Sequence, residues 1–181
     1  MKTEELLRSR RTINSFKPEK PPEKLIRKAI DLARWAPNHH LTEPWRFYLL
    51  GSETSQAIIE LNTEITRQKK GHTAAEKKLK KWSEIPGWLV VTVVKSDDPL
   101  QQQEDYAACC CAIHNLSLFL WDQGVGVKWT TGEVTRDPAF YDLIWADPEI
   151  ETVVGLLWYG YPKEIPNSQR KPIEEIMIRL P

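Results

Sequence analysis

The sequence predicts an α+β fold, a sheet flanked by helices, in a single domain spanning residues 1–181. Three observations point there. Apolar, β-branched runs bounded by Pro and Gly alternate with helical patterns. The connections between them are of unequal length. The strand candidates are too few for a doubly wound parallel sheet. A chain of 181 residues, 41% hydrophobic and 28% charged, has the size and composition of one soluble globular domain.

Taken in order, Thr3 and the acids Glu4 and Glu5 suit the positive end of a helix dipole, so a first helix covers residues 3–9 and runs into Arg10 and Arg11. Pro22 opens a second helix with Leu25, Ile26, Ala29, Ile30 and Ala33 at helical spacing, and Pro37 ends it. A polar loop, PNHHLTEPW, follows. Residues 46–51 and 88–95 read as strands, and between them residues 54–82 form one or two lysine-rich helices broken around Gly71. Residues 99–123 make a long helix, apolar on most of its circumference and therefore expected to be central and buried, with Gly124 as its stop. Residues 125–132 form a third strand, Asp137 caps a short helix with Pro138 in its first turn, and residues 152–161 form the fourth strand. The tail ends on Ile176, Met177, Ile178 and Leu180, which need a surface to cover.

Charge and length exclude several functions. Lys and Arg number 25 against 25 Asp and Glu, so no excess positive field favours a polyanion such as nucleic acid. The apolar runs 88–94 and 153–161 are far shorter than a bilayer helix requires and read as buried strands. The start, MKTEELLRSRR, lacks an apolar export segment, so a cytoplasmic protein is expected. Cys109, Cys110 and Cys111 are consecutive, cannot pair or chelate one metal, and read as small buried hydrophobes.

Chemistry has few places to sit. Arg10, Arg11 and Thr12, with Asn14 beyond, place two guanidiniums and a hydroxyl where they could hold a dianionic phosphate, or could form a solvated basic turn. His39 and His40 with Glu43 do not match a zinc spacing, and His39 suits a donor to a ligand or a plain surface position. No dinucleotide, P-loop or nucleophile-elbow motif occurs. Any redox chemistry would then belong to a cofactor that the protein orients.

RRTINSF at 10–16, APNHHLTEPW at 36–45, WTTG at 129–132, GYP at 160–162 and RKP at 170–172 together resemble the nitroreductase family, in order and spacing over nearly the whole chain. The resemblance implies a central, mostly antiparallel sheet and an intertwined homodimer. It also implies FMN at the subunit interface, reduced by NAD(P)H and reoxidised by nitroaromatics, quinones or similar acceptors. By matching position, Arg10, Arg11 and Thr12 would hold the FMN phosphate and ribityl chain, with Arg170 and Lys171 closing from the tail. His39 would contact the flavin from the partner subunit, and Trp129, Thr130 and Thr131 would line the isoalloxazine. A backbone N–H near Thr131 and Gly132 would donate to flavin N5, where a glycine lets the backbone approach the ring. No side-chain acid or base and no metal is then required. The other reading is a flavin-binding or sensing module of the same fold without efficient turnover. A plain interaction domain with a basic turn is a third.

Two positions depart from the family pattern. Asn14 stands where Arg or Lys usually faces the N1/O2 edge of the flavin, a charge worth roughly 4 kcal/mol at about 4 Å and an effective dielectric near 20. A cation from Lys69, Lys70, Lys77, Lys78, Lys80 or Lys81 replaces it, or the flavin potential is lower. Glu43 stands where Gln is usual, and pairing with Arg46 or Lys128 would cancel its charge. Residues 67–82 read as a solvated helix face or a lid over the flavin. Trp35, Trp45 and Trp129 fall inside the motifs, and the remaining tryptophans read as core or dimer contacts.

Overall fold

A computed structural model describes residues 1–181. Four strands, β1 (Trp45–Leu49), β2 (Gly87–Val94), β3 (Gly126–Thr130) and β4 (Glu151–Gly160), form an antiparallel sheet in the order β1-β2-β4-β3. The central positions fall to β2 and β4, the two apolar runs, because only a strand covered on both faces gains from a continuous apolar sequence. β3 ends at Thr130, earlier than the pattern predicts, since Thr131 and Gly132 leave the ladder for a 3₁₀ turn at Glu133–Arg136.

The helices are α1 (Thr3–Ser9), which lies against α5, and α2 (Glu23–Ala33), α3 (Ser52–Lys70), α4 (His72–Ser83), α5 (Pro99–Asp122) and α6 (Pro138–Ile144), which contribute to the core around the sheet. Alternation along β2 sorts the core into two halves. Leu89, Val91 and Val93 meet Ile26 and Ala29 of α2 and Leu116 and Leu120 of α5, while Trp88 and Val90 meet Ile58 of α3, Trp82 of α4 and Phe140 of α6. Gly71, at φ 79°, breaks α3 from α4, and Gly124, at φ 77°, stops α5. Asp98 and Asp137 accept from backbone N–H groups of α5 and α6, each with a proline in the first turn. α1 begins without a side-chain cap, and Thr3 lies inside it.

Glu151 is buried, yet its carboxylate accepts from Arg46 Nη1 at 3.0 Å, Tyr48 Oη at 2.7 Å and Thr92 Oγ1. It fastens β1 and β2 to β4. No helix is long and apolar enough to cross a membrane.

Two expectations are corrected. α5 is covered on one side only; Tyr106, Ala107, Cys111 and His114 lie exposed along the other. Of the cysteines only Cys109 is buried, its thiol pushed up to about 12 chiefly by burial, while Cys110 is half-buried and Cys111 exposed. Neighbouring helical residues point about 100° apart, so three in a row cannot all face one core. Among the tryptophans, Trp82, Trp88 and Trp158 pack in the core with ring centroids 5.2–5.8 Å apart, and Trp145, 94% exposed, is not part of the core of this chain. Residues 163–181 are exposed throughout, so Ile176, Met177, Ile178 and Leu180 find no cover within the chain.

Candidate active site

The segment after α1 is laid against the free edge of β3. Thr12 bridges Val127 in parallel, Ile13 N–H donates to the Val127 carbonyl at 3.2 Å, and Lys17 N–H donates to that of Tyr161 at 2.8 Å. Ile13 is buried, which leaves Thr12 and Asn14 on the solvent side. The approach is so close that a Cβ on Gly126 would lie 2.3 Å from Ile13 Cγ1.

Arg10 stands half-buried where α1 ends. Burial, then the charges of Arg170 and Arg11, holds its guanidinium below the usual arginine range. Arg170 of the tail is near enough for its charge to act on Arg10. None of the three arginines is paired with a carboxylate. Arg11 Nη1 donates to the carbonyls of Arg8 at 2.6 Å and Arg10 at 3.0 Å, and Arg170 Nη1 to the Ser168 hydroxyl and the Gln169 carbonyl. His114, on the exposed side of α5, is held below its ordinary range by partial desolvation and then by the charge of Arg10. Lys171 is exposed and pairs with Glu175 at 3.7 Å.

Along β3 the pleat separates the predicted flavin-lining side chains. Trp129 Nε1 donates to the Val154 carbonyl at 3.0 Å, and its ring lies so close over Gly155 that a Cβ there would sit 2.1 Å from Nε1. Lys128 and Thr130 leave on the other face. Thr131 and Gly132 follow, their carbonyls accepting from Arg136 Nη2 at 3.1 Å and Thr135 Oγ1 at 2.8 Å. Gly132 has φ −60°, ordinary for any residue, and a Cβ there would meet nothing closer than Thr130 Oγ1 at 3.7 Å. Nothing in the chain itself demands glycine at this position.

Asn14 is not isolated. Its Oδ1 accepts from Lys128 Nζ at 2.8 Å. The cation in contact with Asn14 comes from β3 and not from the lysines of residues 67–82. The available signal was a lone lysine in an otherwise apolar strand. Glu43 pairs with neither Arg46, which is held by Glu151, nor Lys128. It sits at φ 44°, its N–H bonded to Asn38 Oδ1 at 2.9 Å. The 3₁₀ turn His39–Leu41 is tied to α5 by Thr42 Oγ1 donating to Asp105 at 2.5 Å, and His39 lies exposed against His40 with no hydrogen bond to the arginines or to β3. Residues 67–82 are helical, anchored by buried Ala75 and Trp82.

The model of the Nitroreductase family matches residues 7–161. The chain belongs to the nitroreductase family. The chain is 33% identical over 177 residues to "Putative NAD(P)H nitroreductase YfhC" of Bacillus subtilis, covering 94% of the present chain and 90% of that protein. The crystal structure of a nitroreductase-like family protein from Bacillus cereus superposes with a TM-score of 0.87 at 28% identity, covering 99% and 96% of the two chains. At 18% identity and a TM-score of 0.79, the crystal structure of a "putative nitroreductase" from Desulfovibrio desulfuricans in complex with FMN shares the fold, over 100% of the present chain and 98% of that chain.

Proposed function

We propose that this nitroreductase is a homodimeric oxidoreductase that holds FMN between its subunits and passes hydride from NADH or NADPH to nitroaromatic, quinone or related small acceptors. The observation that carries the reading is that Arg11 and Arg170 both act on Arg10 and that none of the three is paired with a carboxylate. Like charges gathered at one point are stabilised by an anion, and a phosphate dianion offers the oxygens that guanidiniums bind best. FMN, when bound, supplies the hydride chemistry at its N5. The chain's residues do the rest. Arg10, Arg11, Thr12 and Arg170 hold the phosphate and ribityl chain, with Lys171 nearby. Thr130 and Thr131 line the ring, Trp129 packs over Gly155 on the opposite face of β3 and supports that strand from behind, and a backbone N–H near Gly132 meets N5. His39 reaches the flavin of the other subunit. Orientation, not a side-chain acid or base, supplies the rate.

Gly132 supports the fit, since the space that a Cβ would occupy is open in the chain alone and is left for the ring. Gly132→Ala is expected to change folding stability by less than about 0.5 kcal/mol while weakening FMN binding about tenfold or more. Thermal unfolding of the apoprotein and a flavin fluorescence titration check the two halves. The dimer is supported by the uncovered stripe of α5 and the exposed apolar tail, which a second copy would bury.

Anaerobic addition of NADH or NADPH to the FMN-loaded protein tests the reading. Bleaching of the flavin's visible absorption (on the order of seconds or faster, in keeping with typical turnover) and recovery with a nitroarene or quinone are expected. A protein that takes up no FMN discards it. A yellow protein whose colour reduced nicotinamide leaves unchanged would be the storage or sensing module instead.

A further inference from the structure

Between α3, α4 and the β3–β4 side of the sheet lies a cavity of about 310 Å³. Lys69, Lys70, Lys78, Lys81 and Lys128 stand around it, and the acid among its lining residues, Glu133, is already held by Lys69. The wall also contains two buried donors without partners, Asn62 Nδ2 and Trp158 Nε1, in residues only 7% and 3% exposed. A buried donor left unpaired costs about 1–3 kcal/mol. Water could satisfy the donors, but it cannot offset the lysines. The cavity therefore calls for a ligand that brings both acceptor oxygens and negative charge.

Its position narrows the ligand further. Thr130 and Gly132, which the proposed function assigns to the flavin ring, are part of the same wall. Lys128 is fixed by two contacts, Nζ to Asn14 Oδ1 at 2.8 Å and Nζ over the Trp158 ring at 4.8 Å from its centroid. A flavin ring presents two carbonyl oxygens on its pyrimidine side and carries the negative charge of its reduced form along N1–C2=O2.

Resting on the FMN reading above, we propose that this cavity receives the pyrimidine edge of the flavin, with Lys128, positioned by Asn14, as the cation that residue 14 itself does not carry. Asn62 and Trp158 add donors for the ring oxygens. Burial and the charges of Lys81 and Lys78 hold the Lys128 ammonium below the ordinary lysine range, so it gains from a negative neighbour. Such a cation binds the reduced flavin more tightly than the oxidised one and so raises the potential of the bound cofactor.

The test compares Lys128→Gln, Lys128→Arg and Asn14→Ala with the native protein, measuring the dissociation constant of oxidised FMN and the two-electron midpoint potential. In Lys128→Gln, binding of reduced FMN is expected to fall at least tenfold more than binding of oxidised FMN, a drop of about 30 mV or more. Lys128→Arg keeps the potential, and Asn14→Ala, which only frees the lysine, lowers it by less. Sulfite, which adds to flavin N5 and leaves charge at N1, binds more weakly in Lys128→Gln. An unchanged potential in Lys128→Gln, or the same drop in the arginine variant, overturns the assignment. Should Lys128→Gln fail to fold, an unchanged potential and sulfite affinity in Asn14→Ala overturn it equally. Failure of the native protein to bind FMN sinks the function itself, whereas binding and bleaching with no effect of Lys128 sinks only this inference.

Discussion

Arg10→Ala with Arg170→Ala is expected to strip the protein of FMN without weakening its fold. A hydrogen bond to a charged partner is worth about 1.5–3 kcal/mol, so losing one from each guanidinium raises the dissociation constant about 10²- to 10⁴-fold. The folding half has the opposite sign from most charge deletions. Arg10 is disfavoured in the fold by burial and by Arg170 and Arg11, and neither Arg10 nor Arg170 pairs with an acid. Removing the two relieves repulsion, so the melting temperature of the apoprotein holds or rises. Flavin fluorescence titration and thermal unfolding on the same samples check both. Undiminished FMN binding would remove these arginines from the site.

Gly126→Ala is expected to couple fold and site. The added Cβ would lie 2.3 Å from Ile13 Cγ1 and 2.9 Å from Ile13 Cβ, so the segment from Arg10 to Phe16 must lift from β3. Overpacking of this kind costs about 1–3 kcal/mol, and FMN affinity falls with it because Arg10, Thr12 and Asn14 ride on that segment. Ile13→Ala removes the Cγ1 atom, so the double variant should be more stable than the two single losses added together. Urea denaturation of the four proteins in the cycle measures the coupling. Strict additivity would mean that the segment is not held where the structure has it.

What was legible in the sequence follows from where each signal resides. β2 and β4 announce themselves because residues buried on both faces must be apolar along their whole length. Gly71 and Gly124 mark breaks because the backbone at each enters the left-handed region. The placing of β4 between β2 and β3 is a long-range choice with no local signature. α5 misled for a physical reason: Tyr106, Ala107 and Cys111 on its exposed side have the same apolar character as the residues on its covered side. The site divides in the same way. The arginines stand out by charge and type, whereas the Lys128–Asn14 bond joins residues 114 apart, and the cavity wall draws on positions from Asn62 to Trp158. Neither could be read from spacing along the chain.

Sedimentation of the FMN-loaded protein, followed at both the protein and the flavin absorbance, tests the central claim most directly. The account predicts one boundary at twice the 21.0 kDa chain mass, with two flavins travelling in each particle. Flavin sedimenting with a single chain, or a dimer that carries none, would contradict it.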